Sequence, residues 1–315
     1  MSTAASPQTV LECAGLSRNF GALQAVSDFS LRLQLGEMFA LVGPDGAGKT
    51  TILRLLCGIL TPGTGRARLL GKDLLAGGSG VRTRLGYLSQ GFSLYGDLSV
   101  DENIAFFAGI HSVRDYRRRR DELLEMTRLT PYRKRLADRL SGGMKKKLAL
   151  ACTLIHAPEL LLLDEPTTGV DPVSRRDFWI ILSGLLRTGL TVLLTTPYLD
   201  EAERCTRVGL LSAGRLLRTD TPEKIRQSFP YRTLEIVTGD LQAAAHFLES
   251  EAEVQAEDIQ LFGDRLHLLV PKQEEAARIE SLLAARGLPV ESCRAVPPSL
   301  ENVFIFLMKN QRSET

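Results

Sequence analysis

The stretch Gly43-Pro-Asp-Gly-Ala-Gly-Lys-Thr50 decides how this chain folds around its site. It has the spacing GxxxxGK[ST], and it lies between a short apolar run at residues 38–42 and a segment of helical periodicity at residues 50–60. Glycines in such a turn let backbone N–H groups surround phosphate oxygens, and the start of the next helix adds a favourable dipole. The stretch therefore predicts a nucleotide site between a strand and a helix.

The residues of this loop are the candidate ligands of the nucleotide. Lys49 offers a point charge to the β and γ phosphates, and the Thr50 hydroxyl suits Mg²⁺, a hard cation that prefers oxygen ligands. The remaining candidate nucleotide-binding positions of the loop are Gly43, Pro44, Asp45, Gly46, Ala47, Gly48 and Thr51.

A second apolar run, at residues 160–163, ends in two carboxylates, Asp164 and Glu165. An apolar run followed by two acids is often no more than the end of a strand. Downstream of a phosphate-binding loop, however, an acid in this place holds Mg²⁺, and Asp164 suits that role. The next residue, Glu165, is then placed to act as general base on the attacking water.

Periodicity along the first 228 residues favours an α/β fold. Residues 10–36 alternate between apolar and polar positions and predict antiparallel strands. Residues 192–195 form another short apolar run, and a helical segment at residues 174–186 precedes it. Residues 99–140 are mostly helical in pattern and contain no convincing strand. Strands that alternate with helices predict a parallel sheet.

A second unit is predicted after residue 228, because the composition changes near residues 222–230. Its pattern has the order β-α-β-β-α-β, which is the ferredoxin-like arrangement. The segments are strands at residues 234–236, 259–261, 266–270 and 290–294, and helices at residues 241–248 and 274–286. The turn Gly263-Asp264 joins the two middle strands as a hairpin.

Composition narrows the function classes. The chain has 315 residues, of which 44% are hydrophobic and 24% charged, and this balance is typical of a globular protein. A net charge of +2 gives no reason to propose nucleic acid as a partner. The five cysteines are far apart, which is typical of reduced thiols. No run approaches 18 apolar residues, so we expect no membrane span.

The sequence Leu140-Ser141-Gly142-Gly143-Met144 identifies a family. Ser141 is placed to cap the helix that begins here, and we expect Gly142 and Gly143 to leave their N–H groups exposed to phosphate. With this motif between the phosphate-binding loop and the acidic strand end, the chain resembles the ATP-binding subunits of ABC transporters. The resemblance covers roughly residues 10–228.

Other motifs follow in the order of that family. Phe20 matches the aromatic residue that stacks on adenine. Gln90 matches the Q-loop glutamine that contacts Mg²⁺ and the attacking water, and Asp171 in Gly169-Val-Asp171-Pro172 matches the D-loop. The resemblance implies an ABC-type P-loop NTPase, in which a parallel sheet core carries an antiparallel β subdomain and a helical subdomain. We therefore expect this domain at residues 10–228, a disordered N-terminus at residues 1–9 and a C-terminal accessory domain at residues 229–315.

The resemblance also implies partners. In this family two cassettes pair head to tail, so that the signature at residues 140–144 acts on the nucleotide of the partner; whether that partner is identical or different is open. Met144 and the tail Pro298-Ser-Leu-Glu-Asn-Val-Phe304 resemble ABC-2-type exporters of drugs and antibiotics. The implied protein binds ATP and Mg²⁺, lies on the cytoplasmic face of the plasma membrane and powers a separate ABC-2-type permease.

One position departs from the family pattern. Pro197 stands where the family has its switch histidine, in the segment Thr196-Pro197-Tyr198. A proline side chain neither donates nor accepts a hydrogen bond, so it cannot hold the γ-phosphate. Two interpretations stay open: Glu165 suffices and hydrolysis is slowed, or the site is crippled and relies on a partner that carries the histidine. An ATP-sensing cassette and a soluble ABC ATPase without a permease are the alternative functions.

Overall fold

The computed structural model describes residues 8–74, 79–91, 94–251, 254, 256–272 and 276–313. The chain divides into two compact units, of which the first ends at Asp220 and the second begins at Thr221. This division lies before the expected one after residue 228. The reason is that the helix Pro222–Gln227 contacts the last helix of the chain, and the Phe229 ring lies 5.4 Å from that of Phe306.

The expected disorder at residues 1–9 falls mostly outside the described residues, which begin at Gln8. The Gln8 carbonyl accepts a hydrogen bond from the Leu35 N–H, at 2.8 Å between nitrogen and oxygen, and Thr9 is the first residue of a strand. The ordered part of the first unit therefore begins before residue 10.

The first unit contains two sheets and a set of helices. Its strands are β1 (Thr9–Phe20), β2 (Leu23–Gln34), β3 (Met38–Val42), β4 (Thr64–Leu69), β5 (Lys72–Asp73), β6 (Leu85–Leu88), β7 (Leu160–Asp164), β8 (Thr191–Thr196), β9 (Arg207–Ser212) and β10 (Arg215–Asp220). Its helices are α1 (Lys49–Leu56), α2 (Ser79–Arg82), α3 (Val100–Ile110), α4 (Tyr116–Met126), α5 (Gly142–Leu154), α6 (Pro172–Arg187) and α7 (Leu199–Ala202). Short 3₁₀ turns cover Thr130–Tyr132 and Ala137–Arg139.

The main sheet has the order β10-β9-β3-β8-β7-β6. All its neighbouring strands are parallel except β10, which pairs antiparallel with β9 at one edge. Every residue of β3, β7 and β8 is buried, which explains why these strands are continuous apolar runs in the sequence. Because they are parallel, their carboxyl ends meet at one edge of the sheet, and this edge carries the site.

The second sheet of this unit is antiparallel, with the order β2-β1-β4-β5. This confirms the antiparallel strands expected in residues 10–36. Residues 99–140 contain α3 and α4 and no strand, as expected. A capping box begins α3, in which the Ser99 hydroxyl accepts from the Glu102 N–H and the Glu102 carboxylate accepts from the Ser99 N–H.

Helix α1 is shorter than the sequence predicted. It ends at Leu56, not at residue 60, and Gly58 follows with a φ of +68°. The N–H groups of Ile59 and Leu60 both donate to the Arg54 carbonyl, which closes the helix end. The apolar residues beyond Leu56 continue the helical period, but the left-handed backbone at Gly58 has already turned the chain away.

The second unit has the ferredoxin-like order that the sequence predicted. After α8 (Pro222–Gln227) its elements are β11 (Tyr231–Thr238), α9 (Leu241–Ser250), β12 (Asp258–Phe262), β13 (Arg265–Pro271), α10 (Ala276–Ala285), β14 (Val290–Val296) and α11 (Leu300–Ser313). The sheet order is β12-β13-β11-β14, and all pairs are antiparallel. The predicted start of the second helix at residue 274 lies outside the described residues, and the helix is described from Ala276.

Polar side chains join the tail motif to this sheet. Asn302 on α11 is fully buried, and its amide group donates to Gln260 Oε1 at 2.8 Å and contacts His267 Nδ1 at 2.9 Å. Next to His267, Glu235 accepts hydrogen bonds from Arg294 and Arg265, and these hold the pKa of its carboxyl at about 2. The residues 298–304 thus serve a packing role within the second unit.

Candidate nucleotide-binding site

A cavity of about 660 Å³ lies beside the helix start at Lys49. It is lined by Phe20, Leu23, Gln24, Ala25, Asp45, Gly46, Ala47, Gly48, Lys49, Thr50, Thr51, Gln90, Glu165 and Ala213. Residues from the antiparallel sheet, the loop after β3, the end of β6 and the end of β7 thus meet in one place. Of the residues predicted to bind nucleotide, Gly43 and Pro44 lie outside this lining.

Two glycines of the loop have no room for a side chain. A Cβ at Gly43 would lie 2.4 Å from the Leu211 carbonyl oxygen, and one at Gly48 would lie 2.4 Å from that of Ala25. Gly48 also has a φ of +99°, a conformation that disfavours other residues. No side chain caps α1 at Gly48, so the N–H groups of its first turn are available to an anion at the cavity.

Lys49 is held in place by the loop itself. Its side chain is 4% exposed, and its ammonium group donates to the carbonyl oxygens of Gly43 at 2.8 Å and Pro44 at 3.0 Å. It also forms an ion pair with Glu165, with 3.1 Å between Nζ and Oε1. Gly43 and Pro44 therefore belong to the site by orienting Lys49, even though they do not line the cavity.

The magnesium candidates Thr50 and Asp164 are in direct contact. The Thr50 hydroxyl donates to Asp164 Oδ1 at 3.0 Å, and the hydroxyl of Thr195 donates to the same oxygen at 2.8 Å. Tyr87 approaches Asp164 Oδ2 at 3.4 Å. Burial, together with the Asp164 charge, raises the pKa of Tyr87 to about 12. Tyr87 therefore stays protonated as a donor at neutral pH.

Glu165 is positioned through both its backbone and its carboxylate. Its N–H donates to Thr195 Oγ1 at 3.0 Å, and Gln90 Nε2 donates to its Oε2 at 2.9 Å. Its φ of +46° lies in the left-handed region, which is uncommon for a residue with a side chain. Such strain persists where surrounding contacts over-determine the backbone, and it is frequent at functional sites.

Two residues that lie close to Asp164 and Glu165 were not predicted from the sequence. Thr195 lies opposite Asp164 in the β7–β8 register, a position that only the pairing reveals. Lys146 on α5 is buried and donates to the Gln90 carbonyl oxygen at 2.7 Å. Burial lowers the pKa of Lys146, while the charges of Asp164 and Glu165 act in the opposite direction. Its place among three consecutive lysines gave no sign that it is buried.

Phe20 lies at the open rim of the cavity. The residue is 43% exposed, and the Arg18 guanidinium lies 5.2 Å from the ring centroid. An exposed aromatic ring at the mouth of a phosphate-binding cavity is suited to stacking against a planar base.

The signature residues 140–144 lie apart from the cavity lining. Ser141 caps α5 as expected, since its hydroxyl accepts from the Met144 N–H at 3.3 Å. Gly142 is open to solvent, but the expectation of an exposed Gly143 is wrong. Gly143 is buried, and a Cβ there would lie 2.2 Å from Ser174 Oγ. Its lack of a side chain lets the starts of α5 and α6 pack closely.

Two further residues also lie outside the described cavity lining: Asp171, which matches the D-loop, and Pro197, which departs from the family pattern. Asp171 caps α6 by accepting from the Ser174 N–H at 2.9 Å, and this bond lowers the pKa of its carboxyl. Pro197 is half-buried directly after β8, and the hydroxyl of Thr196 accepts from the Tyr198 N–H across it.

The fold and this cavity define a P-loop nucleotide-binding protein. The family model "ABC transporter" matches residues 26–168. The "Nod factor export ATP-binding protein I" of Rhizobium leguminosarum bv. viciae is 36% identical to the chain over 303 residues, which cover 94% of each protein. The chain therefore belongs to the ABC transporter family, and the resemblance inferred from its motifs is confirmed.

Other similarities agree with this assignment. The "Probable multidrug ABC transporter ATP-binding protein YbhF" of Escherichia coli (strain K12) is 41% identical over 222 residues, or 70% of this chain; the match spans only 38% of that longer protein. A solved structure described as the "ATP binding subunit of ABC transporter" superposes with a TM-score of 0.64 at 30% identity, and covers 70% of this chain and 93% of that one. The expected ABC-type fold is thus confirmed.

None of the helices in the part of the chain that the structure describes is both long enough and apolar enough to cross a membrane.

Proposed function

We propose that this chain is the ATP-binding and hydrolysing subunit of an exporter, and that it powers a separate ABC-2-type membrane permease. One observation carries the proposal. A buried lysine, a hydroxyl–carboxylate pair and a strained glutamate come together around one cavity: Lys49, the pair Thr50–Asp164 and Glu165. These are the groups that phosphoryl transfer requires for binding and charge neutralisation.

Nucleotide binding is the first step of the proposed reaction. The triphosphate lies against the uncapped N–H groups of the first turn of α1, and the Lys49 ammonium faces the β and γ phosphates. In the structure this ammonium is paired with Glu165. The phosphate oxygens compete for the same charge, so binding of the nucleotide releases Glu165. The base is stacked on Phe20 at the rim.

Water activation is the second step. Once released from Lys49, the Glu165 carboxylate accepts a proton from the water that attacks the γ-phosphorus, and the phosphorus–oxygen bond to the β-phosphate breaks. Gln90 orients this carboxylate, because its Nε2 already donates to Glu165 Oε2. The products are ADP and inorganic phosphate.

The residues present fit Mg²⁺ as the metal. The Thr50 hydroxyl and the Asp164 carboxylate place hard oxygen donors beside the phosphate site, and the side-chain oxygen of Gln90 is a third candidate. No group of three His, Cys, Asp or Glu side chains suited to a metal occurs among the described residues. When bound, Mg²⁺ neutralises charge on the β and γ phosphates.

Pairing and partner complete the proposal. The signature residues Leu140, Ser141, Gly142, Gly143 and Met144, together with Asp171, face the nucleotide of a second cassette in a homodimer or heterodimer. Export is supported by the similarity to the Nod factor export ATP-binding protein I, and drug efflux by the similarity to the multidrug transporter protein YbhF. The permease carries the cargo across the membrane, and the cassette lies on its cytoplasmic face. The transport functions for which both relatives are named favour this function over an ATP sensor, which Pro197 would allow, and over a soluble ABC ATPase without a permease.

A Glu165→Gln variant tests hydrolysis. The amide cannot accept the proton from water, so we expect phosphate release to fall about 10²- to 10⁴-fold while ATP affinity stays within a few-fold of the parent. Phosphate release and fluorescent-nucleotide titration measure the two quantities. Glu249→Gln, at an exposed position on α9, is the matched control. An unchanged rate in Glu165→Gln would remove Glu165 from the proposed mechanism.

A further inference from the structure

A buried carboxylate with no role in the steps above lies close to this site. Glu201 on α7 is 1% exposed. Its Oε1 accepts a hydrogen bond from Thr167 Oγ1 at 2.6 Å, and its Oε2 accepts one from Thr196 Oγ1 at 2.7 Å. The Arg175 guanidinium lies 3.7 Å from Oε1. Three separate segments thus contact one side chain: the loop after β7, the end of β8 and the start of α6.

The chemistry of these contacts is strong. A carboxylate removed from water is costly unless donors compensate it, and both hydroxyl contacts have the short distances of charge-assisted bonds. Arg175 adds a positive charge, and its guanidinium also lies 4.6 Å from the centroid of the Tyr198 ring. A buried acid with such partners most often has only a packing role. A further role for Glu201 is indicated by the segments that it contacts.

That place is the loop that carries Glu165. Glu165 has its left-handed φ of +46°, a strained conformation that needs support from its surroundings. On one side, Thr195 accepts a hydrogen bond from the Glu165 N–H. On the other, Thr167 is only two residues further on and is bound to Glu201. The loop is thus fixed at both ends of the strained residue.

The same carboxylate also fixes the segment that contains Pro197. Thr196, which Glu201 binds, directly precedes Pro197, and Tyr198, which Arg175 covers, directly follows it. The side chain at position 197 has no hydrogen-bonding group, yet the side chains on both sides of it are linked to the loop of Glu165, that of Thr196 through Glu201 and that of Tyr198 through Arg175 and Glu201.

From this geometry we infer that Glu201 is a positioning residue for hydrolysis, which holds the Glu165 loop against the end of β8. The inference rests on the proposed ATPase function. The buried carboxylate of Glu201 then helps to order the loop of Glu165, a role that the Pro197 side chain cannot fill because it has no hydrogen-bonding group.

Two variants test the inference in the full chain. Glu201→Gln keeps the shape but loses the charge, and Thr167→Val removes one hydroxyl donor at equal volume. We expect each to lower kcat about tenfold or more, since small misplacements of a reacting group are costly, while the Kd for ATP stays within about twofold. Asp200→Asn, at an exposed position of the same helix, is the matched control and keeps the parent kcat.

Amide hydrogen exchange supplies a readout that does not depend on hydrolysis. We expect the amide hydrogens of residues 168–170 to exchange faster in Glu201→Gln and Thr167→Val than in the parent, and those of β3 to be unaffected. Faster exchange in that loop together with a parent that hydrolyses no ATP would overturn the proposed function but not the contact. The inference would be overturned if exchange in the loop were unchanged, or if both variants had the same kcat as the parent.

A double-variant cycle separates positioning from general stability. If Glu201 shares its ordering role with the missing switch side chain, Pro197→His should make Glu201→Gln less damaging to kcat than it is alone. Equal losses in the two backgrounds, together with a fall in ATP affinity, would show that Glu201 only maintains the fold. Should Glu201→Gln fail to fold, Thr167→Val carries the same comparison, since it removes a single hydroxyl.

Discussion

The P-loop side and the signature side of the first unit are built in opposite ways. Around Lys49 the charges are buried and paired within the chain: the ammonium contacts Glu165 and two loop carbonyls. At the start of α5, by contrast, Ser141 and Gly142 are exposed, while Leu140 and Gly143 are buried, Gly143 against Ser174. The residues around Lys49 line a cavity and supply the groups that bind phosphate. The capped start of α5, in contrast, does not line that cavity. This contrast supports the proposal that the signature serves another molecule.

Removal of Lys49 should break the P-loop side most severely. In Lys49→Ala the phosphates lose a charged hydrogen-bond donor worth about 2–3 kcal/mol, which equals roughly a 30- to 150-fold rise in the Kd for ATP. The buried Glu165 also loses its partner. We expect no hydrolysis above background. Nucleotide titration and phosphate release measure both effects.

Lys134→Ala is the control for Lys49→Ala, because Lys134 is an exposed lysine of the same unit. It should leave Kd and kcat at their parent values. An ATP affinity of Lys49→Ala equal to that of the parent would contradict the assignment of Lys49 to the phosphates.

Ser141→Arg should break the signature side and spare the other. Since Ser141 is exposed and lies outside the cavity lining, the monomer should bind ATP with a Kd within about twofold of the parent. The bulky cation should reduce the ATP-dependent dimer at least about tenfold; sedimentation in a Glu165→Gln background measures this. Loss of the cap costs about 1 kcal/mol of folding stability, which a thermal melt will show.

The same substitution at Ser281, an exposed serine of the second unit, is the control for the added arginine. It should leave the dimer intact. If Ser141→Arg instead abolished ATP binding by the monomer, the signature would belong to the site of its own chain and the contrast between the two sides would disappear.

Pro197→His should have the smallest effect and sharpens the comparison at the end of β8. An imidazole can donate one hydrogen bond towards the γ-phosphate, so we expect hydrolysis by the homodimer to rise about tenfold, equal to roughly 1.4 kcal/mol off the barrier. A steady-state ATPase assay measures the change. Pro197→Ala controls for the loosened backbone. Equal rates in the histidine and alanine variants would show that the side chain at position 197 does not limit hydrolysis.

Much of the site could be predicted because its parts are local. The spacing of Gly43, Gly48, Lys49 and Thr50 determines a turn, a helix start and a charge within eight residues. The apolar run before Asp164 likewise predicts a buried strand that ends in an acid. Each of these patterns depends on backbone conformations that neighbouring residues specify, so one sequence was enough to detect them.

The end of a helix and the burial of single residues were harder to predict from the sequence. The end of α1 at Leu56 depends on a left-handed glycine and on two N–H groups that share one carbonyl, although the apolar period runs on. The burial of Gly143 depends on Ser174, which comes from another helix. The buried Lys146 looks the same in sequence as the lysines beside it. In all three cases the deciding neighbour or conformation is invisible to periodicity.

The sequence by itself determined that this chain has a phosphate-binding loop, an acidic strand end, a capped signature helix and a second α+β unit. Only the tertiary structure decided that Lys49 pairs with Glu165, that Thr195 supports both acids and that Glu201 joins three segments. Local motifs encode the path of the backbone over a few residues. Contacts between residues such as Gln90 and Glu165, 75 positions apart, arise instead from the order and register of strands in the sheet.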